Sequence, residues 1–222
     1  MSFNIAIDGP AGAGKSTIAK LAAKELSFIY VDTGAMYRAI ALGLLRNSVA
    51  IENEAELLAA LDQIEVGIRY VDQEQRVYLN GEDVSPLIRT EQVSDMTSRS
   101  SAKPQVRAKL TALQRDLAAR ENVLMDGRDI GTEILPNADL KIYLTASVET
   151  RAKRRYLEQA AKGGSYTLEE IEEDIRERDY RDMHRETAPL RQADDAVLID
   201  SSDMTIEEVV HEILRLTSLH NL

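Results

Sequence analysis

The sequence predicts an α/β domain in which a five-stranded parallel sheet is flanked by helices, and three observations carry that expectation. Short apolar runs at 3–8, 28–32, 122–126, 139–145 and 196–200 alternate with stretches whose apolar residues recur at helical spacing. The first run leads into a glycine-rich turn, "GPAGAGKST", set between strand and helix. One region, about 61–100, breaks the alternation with period-2 patterning and reads as a small antiparallel insert.

Taken in order, Phe3, Ile5 and Ile7 form a buried first strand, and Ile18, Leu21, Ala22 and Leu26 keep helical spacing after it. Between them Gly9, Pro10, Ala11, Gly12, Ala13, Gly14, Lys15, Ser16 and Thr17 satisfy the spacing G-x-x-x-x-G-K-[ST] at every fixed position. Such a loop turns its backbone N–H groups inward around anionic oxygens, and glycines admit an approach that a Cβ would block. The helix opening near Lys15 adds the positive end of its dipole. Lys15 is then expected at the β/γ-phosphates and the Ser16 hydroxyl on Mg2+. A nucleoside triphosphate site follows; the motif alone does not separate a motor, a switch and a kinase.

The second strand runs into "DTGAMYR", which puts Tyr37 and Arg38 on the next helix. In the insert Ile64, Val66, Ile68 and Tyr70 alternate with other residues, and "RVYL" alternates again before Asn80-Gly81. That pattern is a hairpin followed by a third short strand. After "NVLM" comes "DGRDIGT", offering Asp126, Arg128 and Asp129 at another strand end. Ligands of an open parallel sheet sit outside the carboxyl ends of its strands, so two phosphate-friendly sets on one edge suggest two phosphorylated ligands.

Farther on, "RAKRR" supplies Arg151 and Arg155, and "RERDYRDMHRETAPLR" concentrates more guanidinium groups in an acidic chain. For Arg151 and Arg155, pairing with neighbouring carboxylates and contact with phosphate are equal readings. Arg178 and Arg185 share one helical face with Asp182 between them, which favours a binding role for that face. "TLEE" and "TIEE" each place Thr three residues before Glu and read as capping boxes. The last helix shows Ile206, Val209, Val210, Ile213 and Leu214 on a core-facing side.

The whole chain narrows the classes. Its 222 residues suit one domain with a small insert. The formal charge of -11 argues against a nucleic acid polymer as partner, since such polymers are held by phosphate neutralisation. The chain has no cysteine, so disulfide, thiolate-metal and cysteine-nucleophile chemistry are excluded. No apolar run reaches the roughly 20 residues of a membrane helix. The first strand starts at once, leaving no room for a signal peptide, and a cytoplasmic protein is expected.

Together "IDGPAGAGKST", "DTGAMYR", "GEDVS", "PQVR", "DGRDIGT", "RAKRR" and "RERDYRD" resemble the bacterial cytidylate kinase family of P-loop nucleoside monophosphate kinases, over nearly the whole chain. The resemblance implies a P-loop kinase fold with a core at 1–60, 101–146 and 186–222, a CMP-binding insert at about 61–100 and a helical lid at about 147–165. It implies ATP with Mg2+ and CMP or dCMP as substrates, and a monomer. Arg38, Arg128 and Arg185 would hold the CMP phosphate, with Tyr37 and Thr33 beside them. Ser98, Arg107 and Asp129 would meet the cytosine edge, and Arg178 and Asp182 the ribose. Arg151 and Arg155 would close over the ATP phosphates. The catalytic group would be Lys15, Arg128, Arg185 and Arg155, with Asp126 holding a metal-bound water or, equally, capping its loop. In-line transfer to an anionic phosphate oxygen needs no general base, so no histidine is assigned. The rival readings are another small-molecule kinase and a nucleotide-dependent switch. A GTPase switch would carry N-K-x-D, and the chain has no Asn-Lys pair.

Overall fold

A computed structural model describes residues 2–72, 74–161 and 166–220. The end of the expected lid, 162–165, lies outside the described residues. The chain divides into two compact units, one made of 1–30 with 120–222 and the other of 31–119.

The first unit is organised by the parallel sheet. Its strands are β1 (Asn4–Asp8), β2 (Ile29–Asp32, at whose middle the unit boundary falls), β6 (Val123–Gly127), β7 (Leu140–Thr145) and β8 (Val197–Asp200). Their order is β2-β6-β1-β7-β8, with β3 to β5 belonging to the other unit. The register aligns Asp8 of β1 with Gly127 of β6 and with Tyr143 of β7, so these three strands end along one edge. Central β1 and β6 are buried along nearly their whole length, as expected of parallel strands covered on both faces.

Helices α1 (Lys15–Leu26) and α8 (Ile206–Ser218) pack with the sheet into one apolar cluster. It joins Ile5, Ile7, Ile18, Ala22, Leu124, Ile142, Val209 and Ile213. Val209, Val210, Ile213 and Leu216 are the buried stripe of α8, whereas Ile206 is exposed. The expected core face is thus rotated toward the C-terminus, because Ile206 lies in the first turn just beyond the Thr205 cap. Two more helices, α6 (Val148–Ala161) and α7 (Leu168–His184), pack together through Val148, Ala152, Ile171 and Ile175. Both expected capping boxes are present. Thr167 and Glu170 open α7, and Thr205 and Glu208 open α8, each pair satisfying two terminal N–H groups reciprocally.

The second unit holds α2 (Thr33–Arg46), α3 (Glu54–Gln63), the antiparallel strands β3 (Val66–Val71), β4 (Glu74–Leu79) and β5 (Glu82–Asp83), then α4 (Glu91–Ser100) and α5 (Pro104–Arg120). β4 is the middle strand of the three. The Asn80-Gly81 turn has positive φ at both residues, 49 and 83, as a two-residue hairpin turn of the mirror-image type requires. Helix α2 lies close to this sheet and to the end of α3: a Cβ on Gly43 would stand 3.4 Å from Leu79 Cδ1 of β4 and 2.8 Å from Cδ1 of Ile64, the C-cap of α3. Asp32 caps α2 by accepting from the Ala35 N–H at 2.8 Å.

Candidate active site

The phosphate loop joins β1 to α1 with the geometry its glycines demand. Gly9 sits at φ 151, and a Cβ there would come within 1.9 Å of the Leu144 carbonyl oxygen. Gly14 adopts the left-handed conformation at the N-cap of α1. The loop therefore turns back on itself beside β7 before the helix starts, leaving its amides at a helix N-terminus. Lys15 is buried, and its Nζ donates to the Gly9 and Pro10 carbonyls, each at 2.7 Å. Burial, with Arg128 adding to it, pushes the Lys15 ammonium well below its ordinary pKa. An anionic ligand in the loop would reverse that balance.

Ser16 donates its hydroxyl to Asp126 Oδ2 at 3.0 Å, and Tyr30 donates to Asp126 Oδ1 at 3.0 Å. Asp126 is buried near the end of β6. A hydroxyl beside a carboxylate is a hard-oxygen pair that fits Mg2+, which takes few protein oxygens and keeps water and phosphate ligands. Tyr30 was not among the residues singled out in the sequence.

Beyond β6 three arginines face one carboxylate. Arg128 donates through Nε to Asp182 Oδ2 at 3.0 Å and through Nη1 to the Gly127 carbonyl. Burial acts against the Arg128 charge, yet Asp182, Asp126 and Asp179 outweigh it and raise its pKa. Burial likewise acts to raise the Asp182 carboxyl, but Arg128, Arg178 and Arg185 hold it below its ordinary value. Arg185 donates to the Ala188 carbonyl at 2.8 Å and reaches the buried Asp129 at 3.5 Å. Arg128, Arg178, Arg185, Asp129 and Asp182 are thus brought together, but Arg185 is the extended C-cap just past α7 rather than part of the helical face its spacing suggested, because the helix ends at His184. Three guanidinium groups gathered at one place suit a phosphate.

The two arginines of α6 separate. Arg151 is buried, donates to the Ala146 carbonyl at 2.8 Å and the Ala11 carbonyl at 3.0 Å, and pairs with Asp179 at 2.7 Å. It therefore holds the phosphate loop through the Ala11 carbonyl. Arg155 pairs instead with Asp174 of α7.

One further carboxylate belongs to this unit's architecture. Asp8, the last residue of β1, accepts from the Ile130 N–H at 2.8 Å and the Gly131 N–H at 2.7 Å. Burial pushes its carboxyl up to about 6, with the two N–H donors opposing the rise. A charged residue closing an apolar strand was the signal for it; Asp179 offered none beyond membership of an arginine-rich helix.

In the second unit, Thr33, Tyr37 and Arg38 lie on α2, and Thr33 and Tyr37 are buried. Arg107 of α5 places its guanidinium carbon 5.5 Å from the Tyr37 ring centroid, within cation–π range, and Nη1 lies 3.4 Å from the Ser101 carbonyl. The Ser98 hydroxyl is buried with no hydrogen-bond partner among the described residues. Gly34 leaves room for Arg38, whose Nη1 would lie 3.1 Å from a Cβ there.

Comparison with known proteins bears on the chain as a whole. The family model described as cytidylate kinase matches residues 5–219. The cytidylate kinase of Ligilactobacillus salivarius is 49% identical over 219 residues, covering 99% of this chain and 98% of its own length. That of Caldicellulosiruptor bescii is 50% identical over 214 residues, covering 96% of this chain and 95% of its own. Among solved structures, shikimate kinase from Acinetobacter baumannii in complex with shikimate aligns with TM-score 0.50 at 17% identity, over 100% of this chain and 96% of that one. A likeness at that identity speaks for the P-loop kinase fold alone.

Proposed function

Because the chain belongs to the cytidylate kinase family, we propose that it transfers the γ-phosphoryl group of ATP to CMP in line, giving ADP and CDP, with dCMP as a second acceptor. The observation that carries the residue-level reading is the pairing, within one unit, of the phosphate loop around Lys15 with the arginine group around Asp182.

Lys15 exchanges the Gly9 and Pro10 carbonyls for β/γ-phosphate oxygens, which restores its charge as an anion replaces neutral acceptors. Arg128 and Arg185 exchange Asp182 and Asp129 for the acceptor phosphate, as does Arg38, with Tyr37 and Thr33 supporting it. Ser98, Arg107 and Asp129 take the cytosine edge, and Arg178 and Asp182 the ribose. The loop residues 9–17 hold ATP. Arg151 and Arg155 swing from Asp179 and Asp174 toward its phosphates, with Arg155 meeting the transferring group. Ser16 and, through a water, Asp126 would hold Mg2+, whose charge when bound offsets part of that on the phosphates.

Placement of the acceptor oxygen against the γ-phosphorus supplies about 7–11 kcal/mol of the barrier reduction. Segment 61–100 serves as the acceptor-recognising insert and 147–165 as the lid. Lid closure excludes water, so ATP hydrolysis without CMP is slow. All these residues belong to one chain, so the reading needs no partner subunit, and it places the enzyme in the cytoplasm with its nucleotide substrates. No helix among the described residues is long and apolar enough to cross a membrane.

The test is ADP production from ATP and Mg2+ with CMP, dCMP, UMP, AMP, GMP and dTMP offered separately. Strong stimulation by CMP and dCMP with little by the purines supports the reading. No stimulation by any of the six overturns it in favour of another acceptor or a nucleotide-dependent switch.

A further inference from the structure

The turn that carries Arg128 and Asp129 lacks a local cap. Residues Ile130–Ile134 form a single wide helical turn, and no side chain at its own N-terminus accepts from its amides. Its first two N–H groups are taken instead by Asp8, more than a hundred residues earlier in the chain. One carboxylate oxygen goes to each donor, Oδ1 to Ile130 and Oδ2 to Gly131. The Asp129 carbonyl closes the turn from the other side, accepting from the Glu133 N–H at 2.9 Å and the Ile134 N–H at 3.2 Å.

Asp8 also ends the strand that runs directly into the phosphate loop, and its backbone is in register with Gly127, the residue before Arg128. One buried side chain thus links the start of the phosphate loop to the orientation of Arg128 and Asp129. The joint is tightly built: a Cβ on Gly131 would stand 3.4 Å from Asp8 Oδ2 and 3.1 Å from Lys141 Cδ. Placing a carboxylate at 5% exposure is costly, and two charge-assisted bonds to backbone amides are its compensation.

We propose that Asp8 is a positioning residue for the acceptor: its bidentate hold on the Ile130 and Gly131 amides sets the angle at which Arg128 and Asp129 meet the nucleoside monophosphate. Asp8 touches neither substrate. The inference rests on the assignment of Arg128 and Asp129 to the acceptor.

Asp8→Asn tests it with nearly unchanged volume. The amide keeps one oxygen acceptor and turns an NH2 toward the other N–H, so one bond is lost and two donors face each other. The expected result is a rise in the CMP KM of about tenfold or more with a fall in kcat, the ATP KM staying within about twofold. Amide hydrogen exchange at Ile130 and Gly131 accelerates in the same variant, a readout independent of turnover. Gly131→Ala, whose methyl presses on Lys141 Cδ at 3.1 Å and contacts Oδ2 while leaving the charge in place, displaces the same joint, shifts the CMP KM in the same direction and serves if Asp8→Asn does not fold.

An unchanged CMP KM in the folded variants, or equal rises in both KM values, overturns the positioning role. Wild type without CMP turnover overturns the functional reading instead, while the exchange measurement still judges the Asp8 joint.

Discussion

Replacing Arg151 by Met should be among the most damaging single changes outside the apolar core of the free protein. Its guanidinium holds two backbone carbonyls and the Asp179 carboxylate at 2.7 Å, with side-chain exposures of only 5% and 11% for the pair. Asp179 Oδ1 already has no hydrogen-bond partner among the described residues. Removing the cation therefore leaves a buried carboxylate without its direct partner, with Arg128 as a cation beside it already shared with Asp182 and Asp126, a situation that costs about 3–5 kcal/mol. For a chain of this size each kcal/mol moves the unfolding midpoint by about 2–4 °C, so a drop on the order of 6–20 °C is expected. Asp179→Leu alone should cost less, because Arg151 keeps its two carbonyl acceptors. The double variant Arg151→Met with Asp179→Leu should recover to within about 1–2 kcal/mol of wild type, since no uncompensated charge remains. Urea and thermal unfolding of the nucleotide-free protein at neutral pH would measure all four chains. A loss below about 1 kcal/mol for Arg151→Met, or a double variant no better than the single, would refute the argument from desolvation.

Other expectations follow from the same structure. Asp8 has a folded-state pKa of about 6 against an ordinary 3.8, so its contribution to stability is present below pH 3.8 and is lost as the pH rises through 6. The change is about 3 kcal/mol, and urea melts from pH 4 to 7 should show Asp8→Asn gaining on wild type across that window; a constant difference would contradict the shift. Gly9→Ala drives a Cβ to 1.9 Å from a backbone oxygen and should cost well over 2 kcal/mol, whereas Gly81→Ala, with nothing within 4 Å, should cost only about 1–2 kcal/mol for its positive φ. Thermal melts giving equal losses would deny that the Gly9 approach matters. Lys15→Ala should lower kcat/KM by about 10²–10³-fold in the coupled ADP assay, and activity within a few-fold of wild type would remove Lys15 from the phosphate site.

The parts legible in the sequence are those whose physics is local. A phosphate loop needs its glycines and lysine at fixed spacing along a few consecutive residues, so Gly9 to Thr17 could be read directly. The capping boxes at Thr167 and Thr205 span four residues, and the Asn80-Gly81 turn spans two. Strand boundaries followed from apolar runs because parallel strands are buried on both faces. The last helix was read less well: spacing identified an apolar side, but only packing decided that Leu216 is buried and Ile206 exposed. The family resemblance supplied roles for Arg128, Asp129, Arg178, Asp182 and Arg185; spacing put Arg178 and Asp182 on one helical face, whereas Arg185, read with them, falls just past the helix end as an extended C-cap.

Tertiary structure decided which carboxylate meets which donor. Asp126 with Ser16, Asp8 with Ile130 and Gly131, and Arg151 with Ala11 are each separated by more than a hundred residues. No periodicity encodes such pairs, because they arise where parallel strands end side by side and bring distant loops to one edge. The separation of Arg151 from Arg155 has the same origin: four positions apart on one helix, they are divided by what each finds beside it, a loop carbonyl with a buried aspartate for one and the half-exposed Asp174 for the other. Sequence set the local geometry of each element, and the sheet's register set the partners, since burial makes an unpaired charge too costly to leave to chance.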